Sequence, residues 1–175
     1  MIEDQDLGKR EAELIAARRS NLAALRSLGV DPFGATKFPV TAHADEINEA
    51  FAELPAGSDA GNDVVAVAGR LMTIRKMGKA FWADLDDRSG KIQLHVKSDV
   101  VGERDFAIMD ALDRGDVIGV RGEIFRSQKG ELTIRVQSLE VLSKALVPLP
   151  DKWHGLTDVE QRYRRRYVDL IVNAD

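Results

Sequence analysis

Between Val64 and Leu142 the apolar residues fall into five short runs of β-type alternation and one run of helical spacing, in the order three strands, a helix, two strands. The strand runs are "VVAVAGRLMTI", "FWADLDD", "KIQLHVK", "VIGVRGEIFR" and "ELTIRVQSLEVL", broken by "RKMGK", "RSG" and "SQKG". The helical run is "ERDFAIMDALDRGD", with Phe106, Met109 and Leu112 at three-residue steps and Gly115 at the expected stop. In the third strand Ile92, Leu94 and Val96 point one way and Lys91, Gln93, His95 and Lys97 the other. Phe81, Ala83 and Leu85 match the apolar set in the second strand, which leaves Trp82 on the polar face beside Asp84 and Asp86. A tryptophan on the polar face of a strand needs a reason.

Five strands with a helix between the third and fourth is the order of the OB-fold, a five-stranded Greek-key barrel that binds oligonucleotides or oligosaccharides. The fold class expected is therefore mainly β with helical extensions, an OB-fold barrel led by an amphipathic helix. That helix is read over Glu11–Leu28, where Leu14, Arg18, Leu22, Leu25 and Leu28 share roughly helical spacing, Gly29 ends it and Pro32 prevents resumption. Three segments follow: 1–63, the leading helix and a connector with one small helix around Ile47–Leu54; 64–142, the barrel; and 143–175, a linker and the start of a further domain.

The 44% hydrophobic and 31% charged composition of these 175 residues is that of an ordinary globular protein. The absence of cysteine excludes a disulfide scaffold, a thiolate metal site and a cysteine nucleophile. No run has the apolar length of a membrane span, and "MIEDQDLGKR" lacks the order of a signal peptide, which together point to the cytoplasm. The net charge of −4 argues against a protein that coats nucleic acid, but it hides an asymmetry. Residues 64–97 hold 7 Lys and Arg against 3 Asp and Glu, while the segments on either side are net acidic. A local basic patch on an acidic body suits a limited nucleic-acid contact.

In an OB-fold, strands 2 and 3 form the binding face, flanked by the loops joining strands 1 to 2 and 4 to 5. Those loops carry Arg75, Lys76 and Lys79, and Lys129 with Arg126 at its edge, all candidates for phosphate contacts. Trp82 on that face is a stacking platform for a base, a contact of about 1–3 kcal/mol, unless it packs beneath the leading helix or connector. Gln93 both donates and accepts, as reading a base edge requires; Glu131 is an acceptor for a base amino or imino group or else a solubility charge. His43, His95 and His154 lie on separate segments without ligand spacing, so no metal is expected, and no catalytic constellation stands out. "QRYRRRYVDLI" places Tyr163, Tyr167 and Leu170 at helical spacing, a stripe for a partner more than a basic nucleic-acid helix. Its nearness to Asp175 suggests that a following domain or partner subunit packs on it.

These residues resemble the N-terminal part of a bacterial-type class II lysyl-tRNA synthetase. The resemblance is carried by "RRSNLAALRSLGVDPF", by "VAGRLMTIRKMGKAFWADLDDRSGKIQLHV", by "GDVIGVRGEIFRSQKGELTI" and, most specifically, by "KALVPLPDKWHGLTDVEQRYRRRYVDLI". Aspartyl and asparaginyl enzymes share a similar OB-fold, but the last run points to the lysyl branch. The resemblance implies that the barrel grips the anticodon loop of tRNA(Lys), with Trp82 stacking on the central uridine, Gln93 reading it, and Arg75 and Glu131 as further anticodon contacts. The family's aromatic is usually phenylalanine, so the tryptophan is a departure. The resemblance further implies a homodimeric parent enzyme that activates lysine with ATP and Mg²⁺, a catalytic domain of the same chain as partner, and no cofactor and no aminoacylation by this segment alone. Two other readings stand beside it: a free-standing OB module for single-stranded nucleic acid, tolerant of any pyrimidine run, and a protein-interaction barrel indifferent to nucleic acid and to salt.

Overall fold

A computed structural model describes residues 2–35, 37–150 and 159–173. The strands are β1 (Asp59–Met77), β2 (Ala80–Asp86), β3 (Lys91–Lys97), β4 (Val117–Arg126) and β5 (Leu132–Ser143), and they close into a barrel in the order β1-β2-β3-β5-β4. Four of the neighbouring pairs are antiparallel; β3 and β5 run parallel from Gln93↔Thr133 to Val96↔Val136. β1 serves both sides of the barrel, pairing with β4 through Val64–Arg70 and with β2 through Arg70–Met77. At that handover a Cβ on Gly69 would lie 2.5 Å from the Asp86 carbonyl oxygen, so only glycine lets the strand pass.

The period-two alternation delivers one face to the core: Leu71, Phe81, Ala83, Leu85, Ile92, Leu94, Val96, Ile118, Val120, Ile134 and Val136 are all buried inside. Helix α1 (Ile2–Ser27) adds Leu25 and α3 (Ser98–Asp110) adds Ile108 and Met109. Thr133 is fully buried among the barrel residues and takes its hydrogen bonds there.

The element boundaries depart from the sequence reading in particular places. α1 begins nine residues before Glu11, at Ile2, while Gly29 stops it with φ of +76°. On its stripe Leu14 stays exposed, and Arg18 is buried instead, donating to the carbonyls of Ala145 and Arg114 at 2.7 Å each. The connector helix α2 spans Ala44–Ala50, starting three residues before Ile47, where Glu46 accepts from the His43 N–H in a local capping box and a distant hairpin adds a second cap. Asp87, in the β2–β3 turn, accepts from the Ala44 N–H at 2.9 Å and from the Ser89 and Gly90 N–H groups, and lies 3.3 Å from the His43 ring. Burial opposes ionisation of Asp87, but the Ser89 hydroxyl and the three backbone donors outweigh it and bring its pKa from 3.8 to about 2. β1 starts before Val64, at Asp59, and α3 before Glu103, at Ser98, the latter interrupted by Gly102 at φ +81°.

A second polar node fastens three segments. Lys144, with no exposed side-chain surface, donates to Asp113 at 2.5 Å and Asp116 at 2.8 Å. Asp116 also accepts from the Ala145 N–H, and Asn21 of α1 donates to Asp113 at 3.0 Å. The "QRYRRRYVDLI" stretch forms two short helices, α4 (Val159–Arg164) and α5 (Arg166–Val172), in place of a single one. Buried Asp169 holds them together by accepting from Arg162, Arg166 and Asn173, while Tyr163, Tyr167 and Leu170 point outward, 60% or more exposed. His154 and the "HGL" triplet lie outside the described residues.

Candidate nucleic-acid interface

The outward set of the same alternation builds the site. Across the barrel wall one row of partners runs Arg75, Trp82, His95, Arg135 and Glu123, from β1 through β2, β3 and β5 to β4. A neighbouring row runs Thr73, Asp84, Gln93, Thr133 and Phe125. Side chains opposite one another in register sit close enough to touch, and several here do, as Thr73 with Asp84 and Gln93 with Thr133. The Trp82 indole and the His95 imidazole are stacked, with centroids 4.1 Å apart and planes 17° from parallel. Phe125 tilts toward His95 at 6.0 Å, and the Arg135 guanidinium caps Phe125 at 4.8 Å.

Above these rows opens a cleft of about 690 Å³, walled by the end of β1 and the loop after β4. Arg75, Trp82, Gln93, Lys129 and Glu131 all line it, together with Met77, His95, Phe125, Ser127 and Gln128. Trp82 is half-buried at an open wall and does not lie beneath the leading helix. The Thr133 hydroxyl lies 3.1 Å from the Gln93 amide and 3.1 Å from the Glu131 carbonyl, so it holds one end of the amide and leaves the other for a ligand. Arg75, Lys129 and Glu131 are exposed, and no described residue pairs with their charges.

The other three basic candidates stand elsewhere. Lys76, one residue from Arg75 and so on the opposite face of β1, donates to Asp110 at 2.7 Å and sits 5.4 Å over Phe81 and 5.8 Å over Phe106. Lys79 is exposed in the β1–β2 turn, outside the cleft lining. Arg126, expected at a phosphate, instead donates to the carbonyls of Gly130, Phe51 and Ala52 at 2.7, 2.8 and 2.9 Å, tying the β4–β5 loop to the segment after α2. A guanidinium spread over three carbonyls is a structural clamp.

Burial between the aromatics, then repulsion from Lys97 and Arg135, keep the His95 pKa below its usual 6.5, with Asp99 pulling weakly the other way. The ring is therefore neutral at neutral pH. Phe125 was not among the sequence candidates, although a large aromatic in phase with Arg121 and Glu123 on β4 is the same anomaly that drew attention to Trp82. Among the described residues no group of His, Asp and Glu has the arrangement of a metal site.

Residues 65–142 match the family model described as an OB-fold nucleic acid binding domain. The barrel has the OB-fold. The curated relatives agree along nearly the whole chain: the lysine–tRNA ligase of Syntrophomonas wolfei is 48% identical over 164 residues, covering 94% of this chain and 32% of the relative. That of Thermoanaerobacter pseudethanolicus is 47% identical over 163 residues, covering 93% and 32%. That of Bacillus subtilis is 47% identical over 162 residues, covering 92% and 32%. The chain thus spans about a third of the length of the ligases it matches, and the matched region is their N-terminal part.

Proposed function

We propose that this chain recognises the anticodon loop of tRNA(Lys) as part of a lysyl-tRNA synthetase. One observation carries the reading: a stacking ring, an amide, a carboxylate and two unpaired cations, Trp82, Gln93, Glu131, Arg75 and Lys129, line the same cleft on the OB domain. Each kind of group does what a single-stranded RNA loop requires. An aromatic face holds an unstacked base, an oriented amide reads its edge, and cations at the rim hold phosphates. The match to lysine–tRNA ligases over more than nine-tenths of the chain favours this reading over a free-standing single-strand binder or a protein-interaction barrel.

In the whole enzyme the reaction is activation of lysine with ATP and Mg²⁺, followed by transfer to the tRNA end. We assign neither ATP nor Mg²⁺ to the described residues. The catalytic domain of the same chain, a homodimeric state and a cytoplasmic location belong to the same proposal. Binding is tested at fixed moderate salt with an RNA stem-loop carrying UUU and one with the central uridine changed to cytidine, for the wild-type chain and Trp82→Ala. The UUU loop binds more tightly, and Trp82→Ala loses roughly ten-fold or more, the equivalent of one base stack. Equal binding of both loops, unchanged by Trp82→Ala, would make Trp82 a packing residue and reject the proposal.

A further inference from the structure

We propose that His95 is the positioning residue of this cleft: its imidazole, laid flat against one face of the Trp82 indole, sets the plane on which a base stacks. The inference rests on the reading that the cleft binds RNA and deepens it. With one face of the indole covered at 4.1 Å, an incoming base takes the face turned away from β3. An indole on an outward strand position would otherwise sample several rotamers, and ordering it on binding would lower affinity. The imidazole is itself held from behind, since Phe125 leans on it at 6.0 Å and Arg135 covers Phe125 at 4.8 Å. Arg135 in turn is anchored by Asp59 at 2.6 Å and Glu123 at 3.5 Å. The stack is therefore fixed at the end away from the ligand and open at the other.

This backing ring differs from a phenylalanine in one respect: it titrates. The charges around it come from every side of the cleft. Lys97 lies on its own strand, Arg135 on β5, Asp99 at the start of α3, Asp84 on β2 and Glu123 on β4, with Arg75 on β1 and Lys129 and Glu131 in the β4–β5 loop. In the free protein burial and the cations Lys97 and Arg135 hold His95 neutral. A polyanion entering the cleft offsets those cations and favours the imidazolium, so binding takes up a proton and RNA binds more tightly as pH falls.

The test uses the full chain, the UUU stem-loop, and variants His95→Phe and His95→Ala. Wild-type affinity rises several-fold between pH 8 and pH 6, and the ring resonance of His95 titrates at higher pH in the complex than in the free protein. His95→Phe, which keeps a flat ring, loses the pH slope and weakens binding less than His95→Ala does. In the His95→Ala background, adding Trp82→Ala costs less than it does in the wild type, as coupled partners require. Thermal melts identify any variant that fails to fold, and His95→Phe keeps the test decisive if His95→Ala does. Additive effects of the two alanine substitutions, a pH slope that survives His95→Phe, or tighter binding at higher pH each overturn the inference while leaving the anticodon reading in place. Absence of RNA binding at every pH overturns both.

Discussion

Arg75 and Lys76 are neighbours in the chain and opposites in the fold. The strand period sends Arg75 to the cleft, with no partner among the described residues, and turns Lys76 toward Asp110 and the rings of Phe81 and Phe106. Salt dependence separates them. Each phosphate contact contributes about −0.7 to the slope of log affinity against log salt for a single strand. Removing Arg75 with Arg75→Ala flattens that slope by roughly one contact, whereas Lys76→Ala leaves it in place; RNA titrations at four or five salt concentrations decide the matter. Lys76 read as a phosphate ligand because sequence proximity to Arg75 says nothing about its pairing with Asp110, 34 residues further along.

At the scale of elements, the strands were legible because each carries its own evidence, an apolar residue at every second position. Joints between elements were not, because they depend on residues far apart in sequence. The start of α2 is fastened, beyond its own His43–Glu46 capping box, by Asp87, 43 residues after the N–H it accepts from. Its folded pKa of about 2 lies below the ordinary 3.8, so the carboxylate contributes stability above pH 4 that is lost as pH falls toward 2. Asp87→Ala should lower unfolding free energy at pH 7 by about 2 kcal/mol and flatten the acid limb of the stability profile, as measured by urea unfolding between pH 2 and pH 7. Arg126 was likewise placed by its loop alone, and only the fold brings it to the carbonyls of Phe51 and Ala52. The parallel pairing of β3 with β5 is the other joint that no local pattern records.

Over the whole molecule, the Lys144 node ties α1, the α3–β4 loop and the segment leaving β5 to one another. Lys144→Ala would leave Asp116 buried without its cation, a loss of roughly 3–5 kcal/mol. Adding Asp116→Asn should recover part of it, and loosening of α1 would appear as faster amide exchange along that helix. The fold class and several residues of the cleft lining were both readable at the outset, yet from separate halves of the same strands. Phe81, Ala83 and Leu85 make the barrel, and Trp82 together with the outward residues of β3 makes the site. That separation has an evolutionary consequence. If the cleft reads an anticodon as proposed, selection can rewrite the outward row one side chain at a time while the inward row keeps the scaffold, so a change of specificity need not pass through an unstable ancestor.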